Sequence, residues 1–186
     1  MTLIITLNTE FMNTIVIETE RLLLREWLKE DFHRFKPIAT NPQVMKYIGT
    51  GELWSDERIE RFIDNNIDLY KKYGFCLWAL IHKQTQNLIG FCGLSPLSQS
   101  EIEIGWWLTP EYWGNGLATE AAFAVMLYGF ERLNLPKIVA IAQPPNQRSI
   151  RVMEKLKMHF EKMSTDRRGI EVVYYAKDKL GIEPLL

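Results

Sequence analysis

The stretch from Glu101 to Glu120 constrains this chain more than any other. Its first half alternates: Ile102, Ile104, Trp106 and Leu108 fall on one face, Glu101, Glu103, Gly105 and Trp107 on the other. A period of two over eight residues predicts a strand with unlike faces. Thr109-Pro110 ends it, because proline has no N–H to give to a ladder. Gly114-Asn115-Gly116 then opens Leu117 to Arg132, an apolar run at helical spacing with alanines where close packing is needed. A strand, a glycine turn and a helix start make a phosphate cradle. Free N–H groups and the positive dipole end face the turn, and glycine lets the backbone approach a ligand. Two glycines before a helix also occur with no ligand, so the motif takes its meaning from the rest of the chain.

Upstream, Ile15 to Arg25 reads as a strand interrupted by Glu18-Thr19-Glu20, either two short pieces or one bulged edge. Phe32, Phe35 and Ile38 set a helix over Lys29 to Ala39, with a further turn expected over Gln43 to Ile48. Ser55 is a good N-cap for a helix whose stripe is Ile59, Phe62, Ile63, Ile67 and Tyr70, stopped at Tyr73-Gly74. Phe75 to His82 and Leu88 to Leu94 predict a hairpin around Lys83 to Asn87. Downstream, Lys137 to Ala142 reads as a buried strand. Asn146 caps a helix to about Leu156, and Phe160 to Ser164 and Glu171 to Lys177 flank an Arg167-Arg168-Gly169 turn. The order β, α, α, hairpin, β, α, β, α, β, β predicts a mixed α/β (α+β) single domain.

A chain of 186 residues, 47% hydrophobic, buries a full core as one domain. We place that domain at residues 13–180, with 1–12 an N-terminal extension and 181–186 a tail. Met12 is a possible second initiator. A net charge of −1 supplies no global field toward nucleic acid or anionic lipid. The N-terminal apolar residues are too few to span a bilayer and lack a basic flank and a cleavage site. Cys76 and Cys92 sit in apolar strands without Cys-x-x-Cys spacing, as buried thiols of a cytoplasmic protein do. His33, His82 and His159 stand apart, so no metal site is expected. A dinucleotide fingerprint is set aside. It requires an acidic residue after a second parallel strand, and the next strand here ends in Gln143.

In this order and spacing the motifs resemble the GCN5-related N-acetyltransferases, in the branch of the ribosomal-protein N-terminal (RimJ/RimL-type) enzymes. The carrying pieces are Ile17 to Arg25, Ile104 to Leu108, Tyr112 to Ala121, Asn146 to Ser149 and Met153 to Leu156. The resemblance implies an acyl-CoA N-acyltransferase fold, its central sheet splayed between the fourth and fifth strands and flanked by helices. It implies acetyl-CoA as donor and an amine acceptor, with a monomer or homodimer and no metal. The pyrophosphate would rest on Gly114, Asn115, Gly116, Leu117, Ala118 and Thr119, and pantetheine would run beside Trp107 and Leu108. Trp113 stands where the family often has Gln or Arg. Lys157 stands where glycine commonly ends the last helix, a left-handed position that costs lysine about 1 kcal/mol.

Acyl transfer to an amine needs a neutral nucleophile, a stabilised oxyanion and a proton for the departing thiolate. By resemblance the Leu108 N–H is the oxyanion donor and Ser149 the proton donor, while Asn146 both caps its helix and bonds pantetheine. Glu103, and after it Glu101, is the candidate base from its strand face. Arg148 or Lys155 is placed to meet phosphate. The acceptor pocket is expected from the first two helices and the last hairpin, where the acidic Asp56 to Asp68 helix would tolerate a cationic acceptor. A peptide N-terminus, polyamine, amino acid or antibiotic amine all fit. The alternative from another class is a non-catalytic acyl-CoA-binding sensor.

Overall fold

A computed structural model describes residues 14–179. The expected extension and tail lie outside the described residues, as do positions 13 and 180. Among the described residues eight strands form one sheet in the order β1-β2-β3-β4-β5-β6-β8-β7. They are β1 Ile15–Glu18, β2 Leu22–Arg25, β3 Leu77–His82, β4 Leu88–Pro96, β5 Ile102–Leu108, β6 Lys137–Ala142, β7 His159–Thr165 and β8 Glu171–Asp178. Every neighbouring pair is antiparallel except β5 and β6, which are parallel. The polar Thr19-Glu20 turn splits the first strand in two, with a register shift near Ile15, and so settles that choice. The expected fourth and fifth strands are thereby β5 and β6.

Among the described residues five α-helices flank the sheet: α1 Phe32–Ala39, α2 Pro42–Met45, α3 Asp56–Tyr73, α4 Leu117–Glu131 and α5 Gln147–Lys155. α4 and α5 cover one face, where Trp78, Leu80, Ile104 and Leu108 pack against Ala121, Ala122, Val125 and Met153. The alanines of α4 let it lie close to the sheet. A Cβ at Gly129 would already sit 2.7 Å from Ile138. The opposite face takes α1 to α3 through Phe35, Ile38, Ile59 and Ile63. Ser55 and Asn146 cap α3 and α5 by accepting from Arg58 N and Ser149 N. Gly74 closes α3 in the left-handed conformation.

α2 is shorter than the turn expected over Gln43 to Ile48. It starts at Pro42, where the Asn41 side chain accepts from Gln43 N, and ends at Met45. Arg25 and Asp31, 0% and 3% exposed, form a bidentate pair at 2.6 Å that fastens the end of β2 to the turn before α1. Lys157 has φ +57, the strained left-handed position that the sequence points to.

Candidate active site

The turn between β5 and α4 is built from residues close in sequence. Pro110–Tyr112 forms one 3-10 turn, and the Trp113 indole N–H donates to Leu108 O at 2.7 Å. The chain then passes through Gly114 and Gly116, φ +79 and +77, where any side chain costs about 1–2 kcal/mol. Gly116 is the N-cap of α4 and has no side chain to satisfy the first turn. Among the described residues no partner takes the N–H groups of Leu117, Ala118 and Thr119, the orphan donors of a helix start. These donors, the dipole end and exposed glycines fit a pyrophosphate.

A second strand turn steadies this loop. Glu120 accepts from Thr19 Oγ1 (2.6 Å), Arg21 N (2.9 Å) and Arg21 Nε (2.6 Å). Burial opposes its charge, but the hydrogen bonds from Thr19 and Arg21 outweigh this and hold the carboxyl below its usual range. Arg21 also donates to Asn115 O at 2.9 Å, and its guanidinium stays 42% exposed beside the cradle. From the other side Arg148, at the start of α5, stacks on the Trp113 ring at 4.4 Å. Two guanidiniums thus flank the glycine turn. Arg148 or Lys155 was expected there; Arg21 was not, because its partners lie 94 and 99 residues away.

β5 and β6 separate as the family fold implies. Their register holds only at Glu103 and Val139. Thr109 N donates to Ile89 O at 2.8 Å, and backbone direction alternates along an antiparallel strand. Glu103, Gly105 and Trp107 therefore bond toward β4, whereas Ile104, Trp106 and Leu108 turn their backbone toward β6. No β6 residue stands in register with Trp106 or Leu108. The Leu108 N–H and both polar backbone groups of Trp106 thus line the wedge. Trp107, expected beside the pantetheine, spends its backbone on β4. Its ring packs on Phe91 at 4.8 Å and Trp54 at 4.9 Å. The strand alternation that revealed the faces also fixes the bonding edge, so Trp106 was within reach of sequence reasoning.

On the far side of the wedge Asn146 Oδ1 accepts from Ser149 N at 3.3 Å. The Ser149 hydroxyl and the Asn146 amide N–H₂ make no hydrogen bond among the described residues. Glu103 and Glu101 part company. Glu101 accepts from Tyr174 Oη at 2.5 Å and Ser98 Oγ at 3.3 Å, so its oxygens are occupied. Among the described residues the Glu103 carboxyl has no such bond. Burial pushes it up to about 7, with Arg167 pulling the other way. Burial, and then Glu101, keep the Tyr174 hydroxyl protonated.

Among the described residues no group of acids, histidines or cysteines is arranged to hold a metal, and no helix is long and apolar enough to cross a membrane. Comparison with known proteins finds the acetyltransferase (GNAT) domain family over residues 21–159. The N-acetyltransferase YoaA of Bacillus subtilis, itself uncharacterised, is 34% identical over 149 residues, 79% of this chain and 83% of its own. The spermidine N(1)-acetyltransferase of Escherichia coli K12 is 33% identical over 146 residues, 72% and 70% of the two chains. Among solved structures, a ribosomal L7/L12 α-N-protein acetyltransferase in complex with coenzyme A superposes with TM-score 0.75. It covers 89% of this chain and 97% of that one, and at 17% identity shows a shared fold.

Proposed function

The chain belongs to the GNAT acetyltransferase family, and we propose that it transfers acetyl from acetyl-CoA to a primary amine by direct attack on the thioester. The observation that carries this reading is the convergence of two sets of uncommitted backbone donors. The helix-start N–H groups of Leu117 to Thr119 and the inward groups of Trp106 and Leu108 meet across one short turn. Diphosphate takes the first set, with Arg21 and Arg148 on either side. The pantetheine amides take the backbone of Trp106 and the side chain of Asn146, entering the wedge as an added strand.

The thioester carbonyl then lies against the Leu108 N–H, whose position is fixed before the reaction. A donor of this kind contributes about 10²–10³-fold to rate. Glu103 is the proton acceptor. Four residues of strand, at about 3.3 Å each, separate it from Trp107, so it works through a chain of waters. A carboxyl near 7 suits that task, because it is half ionised at the pH where it must receive a proton. The Ser149 hydroxyl relays a proton from water to the departing thiolate, and the proton taken up by Glu103 returns to solvent. The free buried thiols of Cys76 and Cys92 fit a cytoplasmic protein. The non-catalytic alternative gains no support from relatives that are N-acetyltransferases.

Thiol release from acetyl-CoA, measured across a panel of primary amines, tests this. Turnover on at least one amine, reduced at least tenfold by Ser149→Ala with acetyl-CoA affinity retained, is the expected result. Acetyl-CoA binding without turnover on any amine would favour the sensor.

A further inference from the structure

A cleft of about 520 Å³ opens beside the wedge, between the loop after α2, one face of α3 and the β7–β8 turn. Its link to the reacting centre is direct. Trp54 from the loop meets Trp107 of β5 edge-to-face at 4.9 Å, and Gln143 at the end of β6 donates to Gly49 O at 2.7 Å. The loop therefore lies over the C-terminal ends of both splayed strands, where an attacking amine has to arrive.

The cleft is cationic. Arg58 and Arg61 come from α3 and Arg168 from the β7–β8 turn, against the single carboxylate of Glu52. Arg58 stacks on the Trp54 ring at 4.5 Å, and among the described residues it has no carboxylate within ion-pair distance. Arg61 donates to a backbone carbonyl, that of Glu57. Arg168 lies against Gly49, where a Cβ would sit 3.2 Å from its Nη1. Its acid is Asp166 of its own turn, 3.6 Å away. Burial, and then the charges of Arg168 and Arg61, lower the pKa of Arg58, with Glu52 opposing. Two of the acids of α3 that suggested a cationic acceptor are engaged elsewhere: Asp56 with Lys36 at 2.7 Å, Asp64 with Lys29 at 3.5 Å.

We propose that the acceptor is an amine that carries a carboxylate, held by Arg58 and Arg168 against the wall of Trp54 and Phe62. This rests on the acetyltransferase reading and deepens it. A guanidinium fork matches a carboxylate in two parallel hydrogen bonds, and one anion relieves the mutual repulsion of the three arginines. A polyamine would add positive charge to the same space. The chain therefore departs in substrate from the spermidine enzyme that it matches at 33% identity.

The test is kcat/KM for thiol release with matched acceptors: glutamate and its dimethyl ester, an acidic tripeptide and the same peptide with its side-chain and C-terminal acids amidated, and spermidine. The first pair reports a free amino acid as acceptor, the second a peptide. In at least one pair the acid form is expected to exceed its neutralised partner tenfold or more. Arg58→Ala should shrink that ratio at least fivefold, and Arg58→Glu should shift preference toward spermidine. Calorimetric binding of acetyl-CoA serves as the check that each variant is folded. Release with spermidine or the neutralised partners at equal or better efficiency would overturn the carboxylate assignment alone. An unchanged ratio in Arg58→Ala would do so too. Release with no member of this set but with another primary amine would overturn the carboxylate assignment alone, and release with no primary amine at all would overturn the acetyltransferase reading with it.

Discussion

Replacing Glu103 with glutamine separates the chemistry of this carboxyl from its effect on the fold. Burial lifts it from 4.5 to about 7, so between those values the unfolded chain has released a proton that the folded chain keeps. Stability from this source is therefore complete below 4.5 and is lost as pH rises through about 7. At about 1.4 kcal/mol for each tenfold, the gap corresponds to roughly 3 kcal/mol. Water reaching a partly exposed side chain reduces that to about 1–3 kcal/mol. Glutamine carries no such cost. Glu103→Gln should match the wild type near pH 4.5 and exceed it by about 1–3 kcal/mol at pH 8, measured by urea unfolding followed through tryptophan fluorescence. In the same variant kcat/KM should fall by about 10²–10⁴, the usual worth of a general base. The wild-type kcat/KM should rise with pH through about 7, and the variant should lose that limb. A variant that keeps the limb, or whose stability gain is the same at both pH values, would refute the reasoning. So would a loss of stability at pH 8.

Arg21→Ala removes the exposed guanidinium beside the cradle and one brace of its loop, and acetyl-CoA affinity in calorimetry should fall about tenfold, in keeping with a charged hydrogen bond of about 1.5–3 kcal/mol partly shared with solvent. Lys157→Gly relieves a left-handed residue at φ +57. About 1–2 kcal/mol of strain is offset by about 0.5–1 kcal/mol of added unfolded-state entropy, so a net gain of roughly 0.5 kcal/mol should appear as a small rise in Tm. Gly93→Ala drives a Cβ to 2.0 Å from Cys76 O between two central strands. It should cost about 3 kcal/mol or more in urea unfolding, the mark of backbone displacement in a packed sheet.

The parts of the fold that were legible in the sequence are those fixed by neighbours in the chain. The alternation of Ile102 to Leu108, the caps Ser55 and Asn146, the stop at Gly74 and the left-handed Lys157 each depend on residues within one turn or strand. Ends drifted by two residues where tertiary pairing extends a strand. β4, for example, runs to Pro96 because Pro96 pairs with Ile102. The candidate site divides along the same line. Gly114 to Thr119 are contiguous and were named in advance. The guanidinium of Arg21 reaches the cradle only because the β1–β2 turn folds onto the start of α4. On the acceptor side the acids along α3 suggested a cationic acceptor, whereas the cleft itself is lined by three arginines and one carboxylate. Counting acids along α3 hides which face they occupy, and the ion pairs of Asp56 and Asp64 leave Arg58 and Arg61 to line the cleft.

The most direct measurement is isothermal titration of the protein with acetyl-CoA, wild type against Gly116→Trp. Gly116 is the left-handed N-cap of α4, and an indole there both strains the turn and fills the space above its free N–H groups. Binding on the order of micromolar in the wild type, about −8 kcal/mol, abolished in a variant whose circular dichroism is unchanged, is the expected outcome. Equal affinity in the two proteins would remove the cradle from the turn between β5 and α4. No binding by the wild type would leave the fold without its donor and contradict the acetyl-transfer function.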